Sequence, residues 1–351
     1  MIPRLFLILL LTFSVLHRGE ANPVVYKAEG EGRKDLHLVL IASDHEYRSE
    51  ETIPALARIL TKHHGFDCTV LFGLVPDDGT ILGGQSNIPG MEALDDADGM
   101  VFFARFLALP DEQMKPFDAY LKRGGPVVAL RTSTHAFRYP KDSESPYRIY
   151  DYKYEGEEFV NGFGHQIQGQ TWVGHYGKNH QQFTRITKIP EKEGHPILSG
   201  VSEIWAYSGG YNAEPADDWE ILTMAQPLMT FSPDGEPDET KPPKASEWTR
   251  LYQVPGGVEG RCFTSLYGSS EDILSEGYRR MLINGVYWSL GLESEIDPNS
   301  NIGFVGPFRP NPYGNGSGAK GILPSAYEGF ESPIPAHNDV PKNKRRTPSP
   351  Q

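Results

Sequence analysis

The feature that most limits the folds open to this chain is the alternation, from Leu36 to Leu130, of short apolar runs with amphipathic stretches. An apolar run with no polar alternation suits a strand covered on both faces, which is the situation in a parallel sheet flanked by helices. Residues 36–42 (LHLVLIA) read as the first strand, 68–72 as the second, 99–104 (GMVFFA) as the third and 126–130 (PVVAL) as the fourth. Between them, 50–64 sets Ile53, Leu56, Ile59 and Leu60 on one helical face, with acidic residues in its first turn. The stretch 111–122 does the same with Met114, Phe117 and Leu121, and stops at Gly124-Gly125.

Past Ser133 the alternation lapses. Residues 133–195 are rich in Gly, Tyr, His and Gln, and an irregular passage of that length inside a compact domain is a functional region or a packed subdomain. Short strands are expected around 204–207, 219–225, 249–254 and 261–265, an exposed Pro-rich loop over 232–246, and a closing helix over 273–290 that buries Leu274, Tyr278, Met281, Leu282 and Val286. Beyond Ile296 no period is sustained, so 294–351 is expected to be an extended or disordered Pro/Gly-rich tail. The fold class expected is α/β: one domain over 34–293, with a mostly parallel sheet, helices on both faces and an irregular insertion.

Residues 1–21 carry Arg4, an apolar run that reaches Leu16, and small residues at Gly19 and Ala21, the pattern of a cleavable signal peptide. The run falls short of the roughly 20 residues a spanning helix needs. Export to a periplasm or the medium is therefore expected, without membrane insertion. Lys and Arg number 33 against 46 Asp and Glu, a net charge of −13, and there is no basic stripe. That argues against nucleic acid and anionic membrane as partners, since phosphate contacts need clustered cations and the one basic cluster, Lys342 to Arg346, lies in the Pro-rich tail. Cys68 and Cys262 could pair in an oxidising compartment or remain buried thiols.

Ligands of parallel sheets bind beyond the carboxyl ends of the strands. Three such ends carry chemistry here: Ser43-Asp44-His45-Glu46-Tyr47-Arg48, Arg105, and Arg131-Thr132-Ser133-Thr134-His135. Each has a bland reading: Asp44 as a turn acid, Arg105 and Arg131 as ion-pair partners of Asp44 or Glu46, His135 as a cap. Against it stands the convergence of three ends, and the imidazole's titration near neutral pH. The irregular passage adds His165, Gln170, Trp172, His175 and His180. Their spacing matches no zinc motif, so no cofactor is implied, and a divalent metal stays an open alternative. Trp172 with Gln170 and His175 suits a sugar, an aromatic face for the ring and polar groups for its hydroxyls; the bland reading of Trp172 is core. No cysteine stands near the 131–135 turn, which excludes thiolate chemistry there, and Ser133 lacks the Gly-x-Ser-x-Gly setting of a hydrolase.

Several blocks together resemble the trehalose-utilisation (ThuA-like) family: the His45 end of the first strand, PVVALRTSTHAF, GQTWVGHYG, HPILSGV, AYSGGY and WTRLYQVPGGVEGRCFTSLYG, spread over about 36–292. The resemblance implies a class I glutamine amidotransferase-like, flavodoxin-like fold, a link to carbohydrate use and in particular to disaccharides oxidised to keto sugars, and site residues at His135, His175, His195 and Tyr211. Two departures stand out. Gly209-Gly210 replaces the acid that often precedes the tyrosine, and Arg131 stands where a His is common.

Two functions follow as expectations. In the first, an enzyme acts on a sugar or keto glycoside, with His135 or His175 as general acid/base, Arg105 and Arg131 holding an enediolate-like oxygen, and Asp44 orienting the nearest imidazole. His45, Thr132, Ser133, His165, Gln170, Trp172 and Tyr211 would line its substrate pocket, and the partner is a small-molecule carbohydrate. In the second, a non-catalytic carbohydrate-binding or scaffold protein uses the same pocket through Trp172 and Tyr211.

Overall fold

The computed structural model describes residues 23–29 and 35–336, so the expected signal peptide lies outside the described residues. In chain order the elements are β1 (Val24–Tyr26), β2 (His37–Ser43), α1 (Ser49–His64), β3 (Asp67–Phe72), β4 (Gly99–Ala104), α2 (Asp111–Lys122), β5 (Val127–Leu130), β6 (His175–Tyr176) and β7 (Thr184–Lys188). There follow β8 (Ile204–Ala206), β9 (Gly210–Tyr211), β10 (Glu220–Pro227), β11 (Lys244–Tyr252), β12 (Gly260–Ser265) and α3 (Glu276–Ser289). Ten strands form one mixed sheet in the order β1-β3-β2-β4-β5-β12-β11-β10-β7-β8.

Its centre, β3-β2-β4-β5-β12, is parallel throughout. The apolar runs are unbroken because both faces are covered. Leu38, Leu40 and Ala42 of β2 pack with α1 and α3, while Val39 and Ile41 point the other way, to Met114, Phe117 and Leu121 of α2. β2 lies between β3, which follows it, and β4, so the chain winds in opposite senses on its two sides. Such a reversal opens a crevice outside the strand ends, here beyond Ser43 and Ala104, which are register partners.

Past β12 the sheet continues antiparallel, because the link 253–259 is too short for the crossover helix that a parallel neighbour requires. β11 starts at Lys244, inside the segment expected to be loop, and β7 and the edge strand β1 add pairings that the apolar pattern does not announce. β6 and β9 form a separate antiparallel pair that sets His175 opposite Tyr211.

The segment 294–336 belongs to the tail expected to be extended or disordered. Its backbone is largely irregular, yet Ile302, Tyr313, Ile322, Tyr327 and Ile334 are buried in the core that holds α1. The reason lies in the polar face of α1, where Glu50, Glu51 and Arg58 are all buried. Arg58 donates to the carbonyls of Ser332 (2.6 Å) and Tyr327 (3.0 Å), Glu51 accepts from the Asn311 N–H (2.8 Å), and Glu50 accepts from that of Ala319 (2.8 Å). A charged helical face that would ordinarily meet water is satisfied by a strap of chain. Tyr327 stacks on Phe72 at 5.8 Å. Replacing Tyr327 by Ala should therefore lower stability by about 3–5 kcal/mol in urea unfolding, the cost of emptying a buried aromatic site, whereas a loosely attached tail would show no change.

Candidate functional site

Three strand ends build the crevice. After β2, Asp44 Oδ1 accepts the N–H groups of Glu46 (2.8 Å) and Tyr47, closing a tight turn. Gly83 packs on that turn so closely that a Cβ there would stand 1.9 Å from the Asp44 carbonyl oxygen. After β5, Arg131 takes a left-handed backbone, φ 45°, which turns the chain sharply at the end of the strand. Ser133 Oγ ties this turn to β4, donating to Phe102 O at 2.8 Å and accepting from Ala104 N at 3.3 Å.

Arg131 is fully buried. Its Nη1 donates to Ser208 Oγ (3.0 Å) and to Leu266 O (3.1 Å). Ser208 Oγ in turn donates to Asp272 Oδ2 at 2.7 Å, and the same carboxylate gathers the N–H groups of Ser208, Gly268 and Ser269. The guanidinium carbon sits 3.5 Å over the Tyr47 ring and 5.0 Å from that of Tyr211. After β4, Arg105 pairs with Glu46 and lies 4.8 Å over Phe106.

His135, 1% exposed, stands in an aromatic cage: Phe106 at 5.1 Å, Trp172 at 5.4 Å, Tyr211 at 5.7 Å and Tyr152 at 6.2 Å. Thr134 Oγ1 donates to Arg131 O (3.2 Å) and lies 3.0 Å from His135 Nδ1. With its one proton committed, the hydroxyl accepts from Nδ1–H, which leaves the lone pair of His135 on Nε2. His175 sits at the rim, 5.6 Å from Tyr211 and 5.7 Å from Trp172, and His45 is 6.1 Å from Phe106. Asp44 Oδ2, Thr132 Oγ1 and Trp172 Nε1 are buried with no hydrogen-bond partner among the described residues.

Burial holds the His135 imidazole well below its ordinary value of 6.5, and the charges of Arg105 and Arg131 push the same way. Partial burial also lowers His175 and His45, while burial raises the Tyr211 phenol well above its usual range. At neutral pH the site therefore holds uncharged imidazoles, a protonated phenol and guanidinium cations. His135 is thus not the near-neutral titrating group expected from its residue type; the dry, cationic surroundings oppose its protonation.

Chemistry similar to that of the 131–135 turn was expected from residues that lie elsewhere or have other duties. His165 is solvent-exposed beside Arg250 and Asp218, away from the cage. Gln170 Oε1 accepts from Glu214 N (3.0 Å), pinning one loop to another, and His195 Nδ1 accepts from Ile197 N (3.2 Å). The Asp44 carboxylate closes its own turn instead of bonding an imidazole. His180 stacks on Tyr313 at 4.3 Å. Cys68 and Cys262 are buried and unpaired, with burial pushing both thiols up to about 12. Among the described residues no group of three or more His, Cys, Asp or Glu side chains is placed to hold a metal ion, and no helix is long and apolar enough to cross a membrane. Phe106, Tyr152, Ser208 and Asp272 also build the site, although none was expected there from sequence. Only Phe106, directly after Arg105 at a strand end, had a positional signal.

No protein-family model and no curated protein matches the chain. Two solved structures that it resembles are ThuA-like proteins. The one from Parabacteroides merdae ATCC 43184 has 16% identity and a TM-score of 0.41, covering 73% of this chain and 90% of its own. The other, from Bacteroides uniformis ATCC 8492, has 13% identity and a TM-score of 0.45, covering 78% of this chain and 98% of its own. The exo-beta-1,4-mannosidase Op5Man5 from Opitutaceae bacterium strain TAV5 is also similar, at 12% identity and a TM-score of 0.33 over 74% of this chain and 37% of that one. At Gly210, where the sequence blocks depart from the ThuA-like pattern at the neighbouring Gly209-Gly210 pair, a Cβ would stand 2.5 Å from the Tyr267 hydroxyl. A carboxylate at that position would have to displace a buried ring.

The neutral, buried His135 fixes a sign for stability against pH. The unfolded chain takes up a proton on this side chain near 6.5 and the folded chain does not. Its contribution is present above that pH and is lost below it, by at most about 1.4 kcal/mol per pH unit. His135→Gln should flatten the fall in unfolding free energy between neutral and mildly acidic pH; an unchanged slope would refute the assignment of a neutral native imidazole.

Proposed function

We propose that this chain is an exported ThuA-like protein of carbohydrate metabolism that moves a proton on an oxidised (keto) glycoside and has no glutaminase activity. The flavodoxin-like assignment belongs to the same proposal, and the 2-1-3-4-5 order of the five parallel strands supports it. The observation that carries the reading is the meeting, at one crevice, of a buried guanidinium, neutral imidazoles and an aromatic cage.

A carbon next to a keto group loses a proton to a neutral base, and the enediolate oxygen that results carries the charge. His175 is the base in this reading: it is uncharged at neutral pH and stands at the rim beside Trp172 and Tyr211. The Arg131 cation and the protonated Tyr211 phenol stabilise the developing negative charge in a site sheltered from water. His135, with its lone pair on Nε2, accepts from a sugar hydroxyl and positions the ring, while Trp172 offers an aromatic face. The absence of a thiol in the 131–135 turn, and the burial of Cys68 and Cys262, support the exclusion of glutamine hydrolysis.

The second reading, a carbohydrate binder without turnover, draws on the same cage and on the suppressed basicity of His135. Incubating the purified chain with keto-disaccharides and reading the products by mass spectrometry separates the two. Product is expected from the unaltered chain, with kcat reduced by about 10²-fold or more in His175→Ala. The rate should fall as pH drops through a value below 6.5, because the base must be unprotonated. Saturable binding without any product would favour the binder, and full activity in His175→Ala would remove that residue from the chemistry.

A further inference from the structure

A cleft of about 790 Å³ opens on the far side of the aromatic cage. Its volume lies within the roughly 300–1,000 Å³ of small-molecule sites. Phe106 and Tyr152 line it, and the same two rings stand 5.1 and 6.2 Å from His135, so they form the partition between cleft and imidazole. Phe106 holds a left-handed backbone, φ 56°, uncommon for a bulky residue, and its N–H donates to His135 O at 3.1 Å. The partition is therefore built into the same turn as the imidazole.

The charge around the cleft runs against that of the chain. Arg138, Lys141, Arg148 and Lys153 line it, and none of the four forms an ion pair among the described residues. Of the two lining carboxylates, that of Asp151 is occupied by backbone, accepting from Tyr139 N (2.6 Å) and Lys153 N (2.7 Å). Asp151 and Glu155 together oppose four cations, so the lining keeps an excess of positive charge in a protein with net charge −13. Arg138 and Lys153, both exposed, lie 5.4 and 5.3 Å over the Phe106 and Tyr152 rings, which sets their charges beside the partition.

We propose that this cleft is a second saccharide subsite, selective for an anionic sugar unit, one that bears a carboxylate or a sulfate. The inference rests on the carbohydrate reading above and adds the class of sugar to it. An anionic unit would meet four unpaired cations, and the tyrosine and phenylalanine rings would line its apolar edges.

Calorimetric titration of the full chain with tetragalacturonate, a sulfated heparin-derived tetrasaccharide and neutral cellotetraose tests it. At least one anionic ligand should bind about tenfold or more tightly than cellotetraose, with affinity falling as salt is raised, and the tighter of the two names the acidic group. In R138E/R148E that binding should weaken by about tenfold or more. Equal affinity for neutral and anionic ligands, no binding of either anion, or full anion affinity in R138E/R148E would overturn the proposal. If the double variant does not fold, the salt titration of the unaltered chain decides, and a flat response overturns it. The reading of the reaction is tested separately, by product from neutral keto-disaccharides, so anion binding without product removes the chemistry and leaves the cleft, and product without anion selectivity does the reverse.

Discussion

Everything at the crevice depends on keeping the Arg131 cation buried. A guanidinium removed from water costs several kcal/mol unless its charge and N–H groups are met. Here the compensation is partial and comes from separate parts of the chain: Ser208 after β8 and Leu266 after β12 meet Nη1, Asp272 after β12 stands behind Ser208, and the Tyr47 ring after β2 faces the cation, while Nε and Nη2 have no hydrogen-bond partner among the described residues. Each is drawn to one point by the same charge. The parallel centre of the sheet and its antiparallel wing are thereby joined at the place where the imidazoles stand, and the cationic field that suppresses His135 is part of the arrangement that holds the two halves in register.

Much of the parallel centre is legible in the sequence, because buried strands and amphipathic helices leave local periods. GMVFFA and 111–122 match β4 and α2 residue for residue, and the other central elements begin or end within a residue or two of their expected limits. What is not legible depends on partners remote in sequence. β1 and β7 are short and lack a distinctive period. Residues 294–336 have the composition of a solvated tail, and the buried charges of Glu50, Glu51 and Arg58, 260 to 274 residues from their partners in it, help to give that segment its place.

The site shows the same division. Strand ends locate Asp44, Arg105, Arg131 and His135 because topology alone brings those ends together. Roles within the turn are set by hydrogen bonds that sequence does not announce. Ser133 serves the β4 backbone, Asp44 serves its own turn, and His165 faces water. Histidine's reference titration is no guide once the ring is enclosed by four aromatic side chains and flanked by two guanidinium groups.

The strap over α1 also imposes an order in time. Besides satisfying the helix, it reaches the β2 turn, where the Gly314 and Gly316 N–H groups donate to the carbonyls of Glu46 (2.7 Å) and His45 (3.0 Å), and Tyr313 packs on Tyr47 at 5.1 Å. On a ribosome, α1 and the β2 turn emerge long before these partners. Until the strap has left the exit tunnel, the nascent chain carries a helix whose charged face has no protein partners from 311–332 and a turn whose backbone is unfinished. Completion of the crevice thus waits for the strap, although most of the residues that form it are made before it.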